Sequence, residues 1–414
     1  MKIGEKMKQE TNVKNNRRNA YSGILLLGIV SLMGDVVYEG SRGIVPSYLG
    51  FLGATAVVVG LVGGLGDFLG YALRLVSGFL ADTTRAYWLF IFIGYGLIVS
   101  IPLLGISLGL EIAVILVLLE RLGKAFRSPS RDTVLSIISK DVGAGKAFGI
   151  HELLDQIGAI FGPFMVAFLM LLTNNNYNFT FIFLFIPFLA LLAVLVYTHK
   201  RISSRITVAL PQKTEGESKK LTKPFYIYTF AVLLNTVGLI PYTLILYKAS
   251  EILQPTQQWI VPLIYLLIQG VDAPMALIAG YAYDKFGISV LIMPFILSMF
   301  PPLLAMASTE LSMIVVSAAI FGLVLGTQES IYRAAVSELA PISARGTAYG
   351  IFNTAYGVGF LISGTIYGLL MMLKPTFIAI IFYAVITQII ATASLLNIRS
   401  KLKKHGATIN THPL

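Results

Sequence analysis

The first long apolar stretch of the chain, SLMGDVVYEGSRG at residues 31–43, carries two carboxylates and a guanidinium: Asp35, Glu39 and Arg42. Spaced four and three apart, the three fall within an arc of roughly 60° on a helix and point into one place. An unpaired charge at the centre of a lipid-facing helix costs about 2.5–3.5 kcal/mol on insertion scales, so such residues face a cavity or a partner. Acids beside an arginine suit proton coupling, because the proton affinity of a buried carboxylate follows its surroundings. Asp35 and Glu39 are therefore candidate proton carriers with Arg42. The competing reading is that Arg42 only neutralises both acids.

A second stripe, Glu120, Lys124, Arg127 and Arg131, has spacings of four, three and four. It could guide an anionic group or close a gate on acids, while Arg127 and Arg131 also fit a membrane edge. Arg121, about 100° round that helix, is a candidate partner for the first acids. Asp67 and Arg74 share a face, as do His151 and Asp155, with Glu152 between them. Histidine titrates near physiological pH, and a hydrogen-bonded gate pair accounts for His151 and Asp155 better than a metal site does. The second half is sparser: Asn235, Tyr242, Gln269, Asp272, Gln328, Glu329 and Arg333. Glu120, Lys124, Asn235, Tyr242, Gln328, Glu329 and Arg333 are read as substrate-cavity residues.

These residues need an apolar frame. The chain is 56% hydrophobic and 12% charged, against roughly a quarter charged in soluble domains. Apolar runs at 21–49, 55–80, 87–108, 111–137, 145–172, 178–199, 224–249, 258–283, 287–307, 311–338, 346–372 and 375–397 each approach the ~20 residues that cross a bilayer. The expected fold is an all-α membrane protein of twelve transmembrane helices. Residues 1–20 form a basic tail, expected to be disordered; 21–199 and 224–397 form two six-helix bundles; 200–223 is a linker and 398–414 a second basic tail. No cleaved signal peptide is expected, because the first 20 residues are polar and no small-residue cleavage site follows.

The net charge of +11 gathers in the tails and the linker, whereas alternate short connections are nearly free of basic residues, Lys248 and Lys374 excepted. The positive-inside rule then puts both termini and the linker in the cytoplasm. The basic surplus reads as topology and lipid contact rather than nucleic-acid binding. With no cysteine, disulfides, thiolate metal sites and cysteine nucleophiles are excluded. No nucleotide loop, HExxH or nucleophile elbow suggests an enzyme, and no cofactor is expected.

GKAFGIHELLDQIGAIFGP from Gly145 aligns with GTAYGIFNTAYGVGFLISG from Gly346 at an offset of 201, while Gly78 with Gly280 and Arg131 with Arg333 give 202. The halves are thus parallel repeats, an arrangement that sets a substrate site near the midplane with alternating access.

Along its whole length the chain resembles a major facilitator superfamily transporter, and its segment from Glu120 to Asp132 is similar to a branch of uncharacterised prokaryotic members. Gly280, Asp284, Lys285 and Gly287 resemble the family loop G-x-x-x-D-R/K-x-G-R/K; Gly78, Asp82 and Arg85 are its degenerate first copy, with Thr83 at the first basic position. The resemblance implies a cytoplasmic latch there. Gly149, Gly158, Gly162 and Pro163 are similar to the family's antiporter motif, with Val166 and Ala167 where a glycine pair is expected. Those residues, with Asp155 and Arg131, are read as gating elements. The resemblance further implies cavity-lining first, fourth, seventh and tenth helices, proton-coupled export and a monomer. The expected function is a proton-coupled antiporter in the cell membrane exporting an amphipathic or cationic compound. The alternatives are a carrier of an organic anion or metal complex, and a non-transporting receptor on the same scaffold.

Overall fold

Backbone polar groups in hydrocarbon must bond within their own segment, and the chain meets that demand with helices. The computed structural model describes residues 2–208, 220–341, 344–374 and 376–404, among which no strand occurs. The first half contains α1 (Lys2–Arg42), α2 (Val45–Phe51), α3 (Ala56–Thr84), α4 (Tyr87–Gly96), α5 (Ser100–Leu103), α6 (Leu110–Ile138), α7 (Ala144–Leu172), α8 (Tyr177–Phe183) and α9 (Phe185–Val208). The second half contains α10 (Lys223–Gly238), α11 (Tyr242–Ile252), α12 (Val261–Phe286), α13 (Ile292–Leu297), α14 (Phe300–Ala307), α15 (Leu311–Leu339), α16 (Arg345–Leu373) and α17 (Phe377–Lys404).

Ten stretches among the described residues are long and apolar enough to cross a bilayer. One of them, Pro255–Ala307, runs 53 residues and is two passes, divided where Gly287 ends α12 at φ 60°. The charge-rich α6, 29 residues long, completes the expected twelve.

One expectation changes. The basic tail predicted to be disordered begins a helix at Lys2 that continues into the first pass. Once a helix is nucleated, each further residue adds one bond for one pair of fixed dihedrals, and the Lys, Glu, Gln and Met of this tail are good helix formers. The predicted linker and C-terminal tail are only partly described: 209–219 and 405–414 lie outside the described residues.

Contacts divide the chain into two units, Met1–Val45 with Leu73–Thr214, and Pro46–Ala72 with Glu215–Leu414. In unit 1, α1 packs on α7 and α9, and α4 on α6; in unit 2, α10 packs on α16 and α17, and α14 on α15. First-with-fifth-and-sixth and third-with-fourth pairing thus recurs, as parallel repeats require. Within unit 2, residues 56–68 lie backbone against backbone on α16: a Cβ on Gly60 would stand 2.1 Å from the Gly364 carbonyl oxygen, and one on Gly364 equally close to that of Gly60. Only glycine permits that approach. The core of unit 2 is an aromatic stack that includes Tyr228, Phe295, Tyr332, Phe352 and Tyr356. In unit 1, Trp88 meets the His199 imidazole edge to face at 4.7 Å, and Phe92 meets the same ring at 5.4 Å.

Candidate functional site

The predicted charges of unit 1 converge. Asp35 and Glu39 are each only 5% exposed, and Arg42 Nη1 donates to Glu39 Oε1 at 2.5 Å. From α6, Lys124 Nζ approaches the same Glu39 oxygen at 3.7 Å. Glu39 is thus held by two cations from two helices. Glu120 is flanked by Arg121 Nε and Arg127 Nη2, each at 3.6 Å.

Tyr38 organises this cluster. The charged ends of Arg42 and Lys124 lie 5.0 Å from its ring centroid and that of Arg127 lies at 4.7 Å; Arg127 also lies 5.3 Å from the Tyr95 ring. Each such cation–π contact contributes about 0.5–1 kcal/mol when exposed and more when desolvated. Arg127 can sit so deep because α4 and α6 touch at Gly94 and Gly123, where a Cβ on either would fall within 2.7 Å of the other helix's backbone. Tyr38 was not among the predicted site residues. Its signal was its spacing: three residues after Asp35 and four before Arg42, on the face those charges share.

One turn along α1, Ser31 links a second group: Arg131 Nη1 donates to Ser31 Oγ at 2.9 Å, and that hydroxyl lies 2.9 Å from Tyr95 Oη. Arg131 also meets Asp155 at 3.5 Å and Asp132 at 3.0 Å, and His151 Nδ1 lies 3.4 Å from Asp155 Oδ2. Asp155 and His151 are on α7, which is pressed on α1 by two motif glycines. A Cβ on Gly158 would stand 2.6 Å from the Leu32 carbonyl oxygen and 2.8 Å from the Asp35 Cβ; one on Gly162 would stand 2.7 Å from the Val36 carbonyl oxygen. Gly149 has open space around it, so the motif's first glycine does not serve this seam. Pro163 lies inside α7 beside the contact.

The loop-motif residues are separate from this cluster. Asp82 accepts from the Tyr87 hydroxyl at 2.9 Å, Arg85 has φ 56°, and Gly78 lies in ordinary contact with Pro129. Asp284 and Lys285 close α12, with Lys285 over the Phe286 ring at 5.3 Å, while Gly280 stands in open space.

In unit 2 the predicted cavity residues part company. Asn235 and Gln328 are buried in a neutral network: Asn235 Oδ1 accepts from Gln328 at 3.0 Å and from Tyr332 at 2.7 Å, Asn235 Nδ2 donates to Gln388 at 2.7 Å, Gln388 donates back to the Asn235 carbonyl at 2.9 Å, and Tyr356 donates to Gln328 at 3.0 Å. Glu329 and Arg333 are instead exposed on α15. Tyr242 packs on Tyr265 and Phe321.

The Major Facilitator Superfamily family model matches residues 24–364 and 225–408. The chain belongs to the Major Facilitator Superfamily. It is 34% identical over 358 residues to an uncharacterized protein of Mycobacterium tuberculosis, strain H37Rv, covering 84% of this chain and 87% of that one. It is 28% identical over 383 residues to an uncharacterized MFS-type transporter of Methanocaldococcus jannaschii, covering 90% and 94%. In fold it matches the nucleoside transporter NupG (TM-score 0.65, 14% identity, 92% of this chain and 99% of that one) and a POT family transporter in complex with 5-aminolevulinic acid (TM-score 0.70, 13% identity, 92% and 96%). This superfamily member is a multi-pass membrane transporter and not an enzyme.

Proposed function

We propose that this superfamily member is a proton-coupled carrier of a small organic anion, acting by alternating access with Glu39 as the coupling carboxylate. One observation carries the reading: Glu39 is buried between Arg42 and Lys124, and those two cations share the Tyr38 ring with Arg127. With Arg121 beside Glu120, four cations thus stand against the carboxylates of Glu39 and Glu120. An incoming anion can take Glu39's place on Arg42 and Lys124. The displaced carboxylate, stripped of its counter-charges in a dry site, then takes a proton, and substrate and proton cross together.

A second reading keeps the expectation of an antiporter exporting an amphipathic or cationic compound. It is favoured by the Gly158 and Gly162 seam, which carries the antiporter-like motif onto the helix of Asp35. A cation would compete with the proton for the acids, so the two would move in opposite directions. The distribution of basic residues supports cytoplasmic termini in the cell membrane, and the monomer is the working assembly.

The test is the sign of proton movement in proteoliposomes that hold a pH dye and carry no imposed gradient. Organic monocarboxylates and tetraphenylphosphonium are added outside. Interior acidification with a carboxylate supports anion–proton symport, and alkalinisation with the phosphonium supports antiport. Glu39→Gln should lower either signal by about tenfold or more. If labelled probe crosses without any pH change in the wild type, proton coupling is wrong.

A further inference from the structure

Lys248 and Lys374 are the two basic residues that break the charge pattern of the short connections, and transport through unit 1 gives them nothing to do. Both line one cavity of about 390 Å³ in unit 2. It lies where α11, α14 and α16 finish and α17 begins, which is headgroup depth for helices that span a bilayer. Glu251, Ser308 and Thr309 complete its polar wall, and Leu370 and Ile380 lie on its apolar wall. Lys248 Nζ is 3.4 Å from Glu251 Oε2. The Lys374 ammonium has no ion pair or side-chain hydrogen bond among the described residues. With two lysines and one glutamate the lining keeps a net positive charge.

The surface beside the cavity is strongly apolar: Leu373 is 68% exposed, Phe377 45% and Ile378 74%. A free inorganic anion has no use for such a rim, whereas an amphiphile does. A net positive pocket at headgroup depth attracts an anionic headgroup by direct Coulomb attraction, and a lysine is a compact, multi-donor point charge suited to phosphate oxygens.

We infer that this cavity is a binding site for the phosphate of an anionic membrane lipid, with Lys374 as the direct ionic contact, Lys248 as the second cation, and the acyl chains lying along Leu373, Phe377 and Ile378. The site is independent of what is transported.

The full chain is purified in detergent and incubated with dioleoylphosphatidylglycerol, dioleoylphosphatidylcholine or inorganic phosphate. Retained lipid is counted by native mass spectrometry and stability is followed by thermal unfolding. Wild type should retain the phosphatidylglycerol and unfold at a higher temperature in its presence. Lys248→Gln with Lys374→Gln should lower retention by about fivefold or more and abolish the thermal gain. Lys140→Gln, in the connection before α7, should behave as wild type. Equal retention by the double glutamine variant overturns the site, and the two lysines then only serve their helix ends. Full competition by inorganic phosphate overturns the lipid as the source. Should the glutamine pair fail to fold, Lys248→Arg with Lys374→Arg keeps the charge and must retain the lipid; loss of retention there also overturns the proposal.

Discussion

The two units solve the same problem, polar groups in an apolar bundle, by different chemistry. Unit 1 buries Asp35, Glu39, Glu120, Arg121, Arg127 and His151, whereas among the described residues Asp272 is the one buried charged side chain of unit 2. The polar centre of unit 2 is neutral, with Asn235, Gln328, Gln388, Tyr332 and Tyr356 bonded to one another. A neutral network closed on itself is stable only in one arrangement, because each member that leaves strands another. A cluster of opposite charges can be re-paired, by a proton or by a substrate. The contrast sets re-pairable charges in the first repeat against a closed neutral network in the second.

The strongest way to break that contrast is to attack the scaffold. Asn235→Leu removes the side-chain centre of three hydrogen bonds. At an average of about 0.6 kcal/mol for an interhelical bond in a membrane, plus about 1–3 kcal/mol for each buried partner left unsatisfied, the loss should reach several kcal/mol. Thermal unfolding in detergent should show a large drop, and a change of under about 1 kcal/mol would mean that the network is not structural.

Next comes the seam that holds the Asp35 region in place. Gly158→Ala forces α1 from α7 and should destabilise by about 1–3 kcal/mol, an overpacking cost. Gly149→Ala, facing open space, should be neutral or stabilise by up to about 1 kcal/mol. Equal unfolding temperatures for the two would remove the seam from the account.

Glu39→Gln sharpens the comparison from the other side: proton movement should fall by about tenfold or more. Unchanged proton flux would show that the first-repeat charges are scaffolding too. Tyr38→Leu should cost about 1.5–3 kcal/mol through three lost cation–π contacts, and Tyr38→Phe, which keeps the ring, well under half of that. Transport assays on both variants read the difference; identical behaviour would remove the ring from the site.

Much of this was legible in the amino acids. Hydrophobic run length gave the twelve passes, the offsets of 201 and 202 gave the repeat, and the four-and-three spacing brought Asp35, Glu39 and Arg42 onto one buried face. The Glu39 and Arg42 pair is a helix neighbour contact that spacing alone predicts. Lys124 on Glu39 was harder, because it needs the rotation of α6 against α1, and Arg121 stood equally close in sequence. Tyr38 was hidden among 20 tyrosines and 25 phenylalanines, most of which are packing. Asn235 and Gln388 are 153 residues apart, and no local period links them. The attachment of residues 46–72 to unit 2 was equally invisible, since it rests on backbone contact between glycines in different repeats.

The ring contact between Trp88 and His199 gives the molecule an optical property of its own. The chain has two tryptophans, Trp88 in unit 1 and Trp259 in unit 2. An indole's emission depends on the rings packed against it, so Trp88 emission carries the packing of α4 on α9 at the His199 ring, while Trp259 supplies an internal reference from the other repeat. Replacing either indole with phenylalanine leaves a single-site fluorophore, and each half of the transporter becomes readable in solution without a dye.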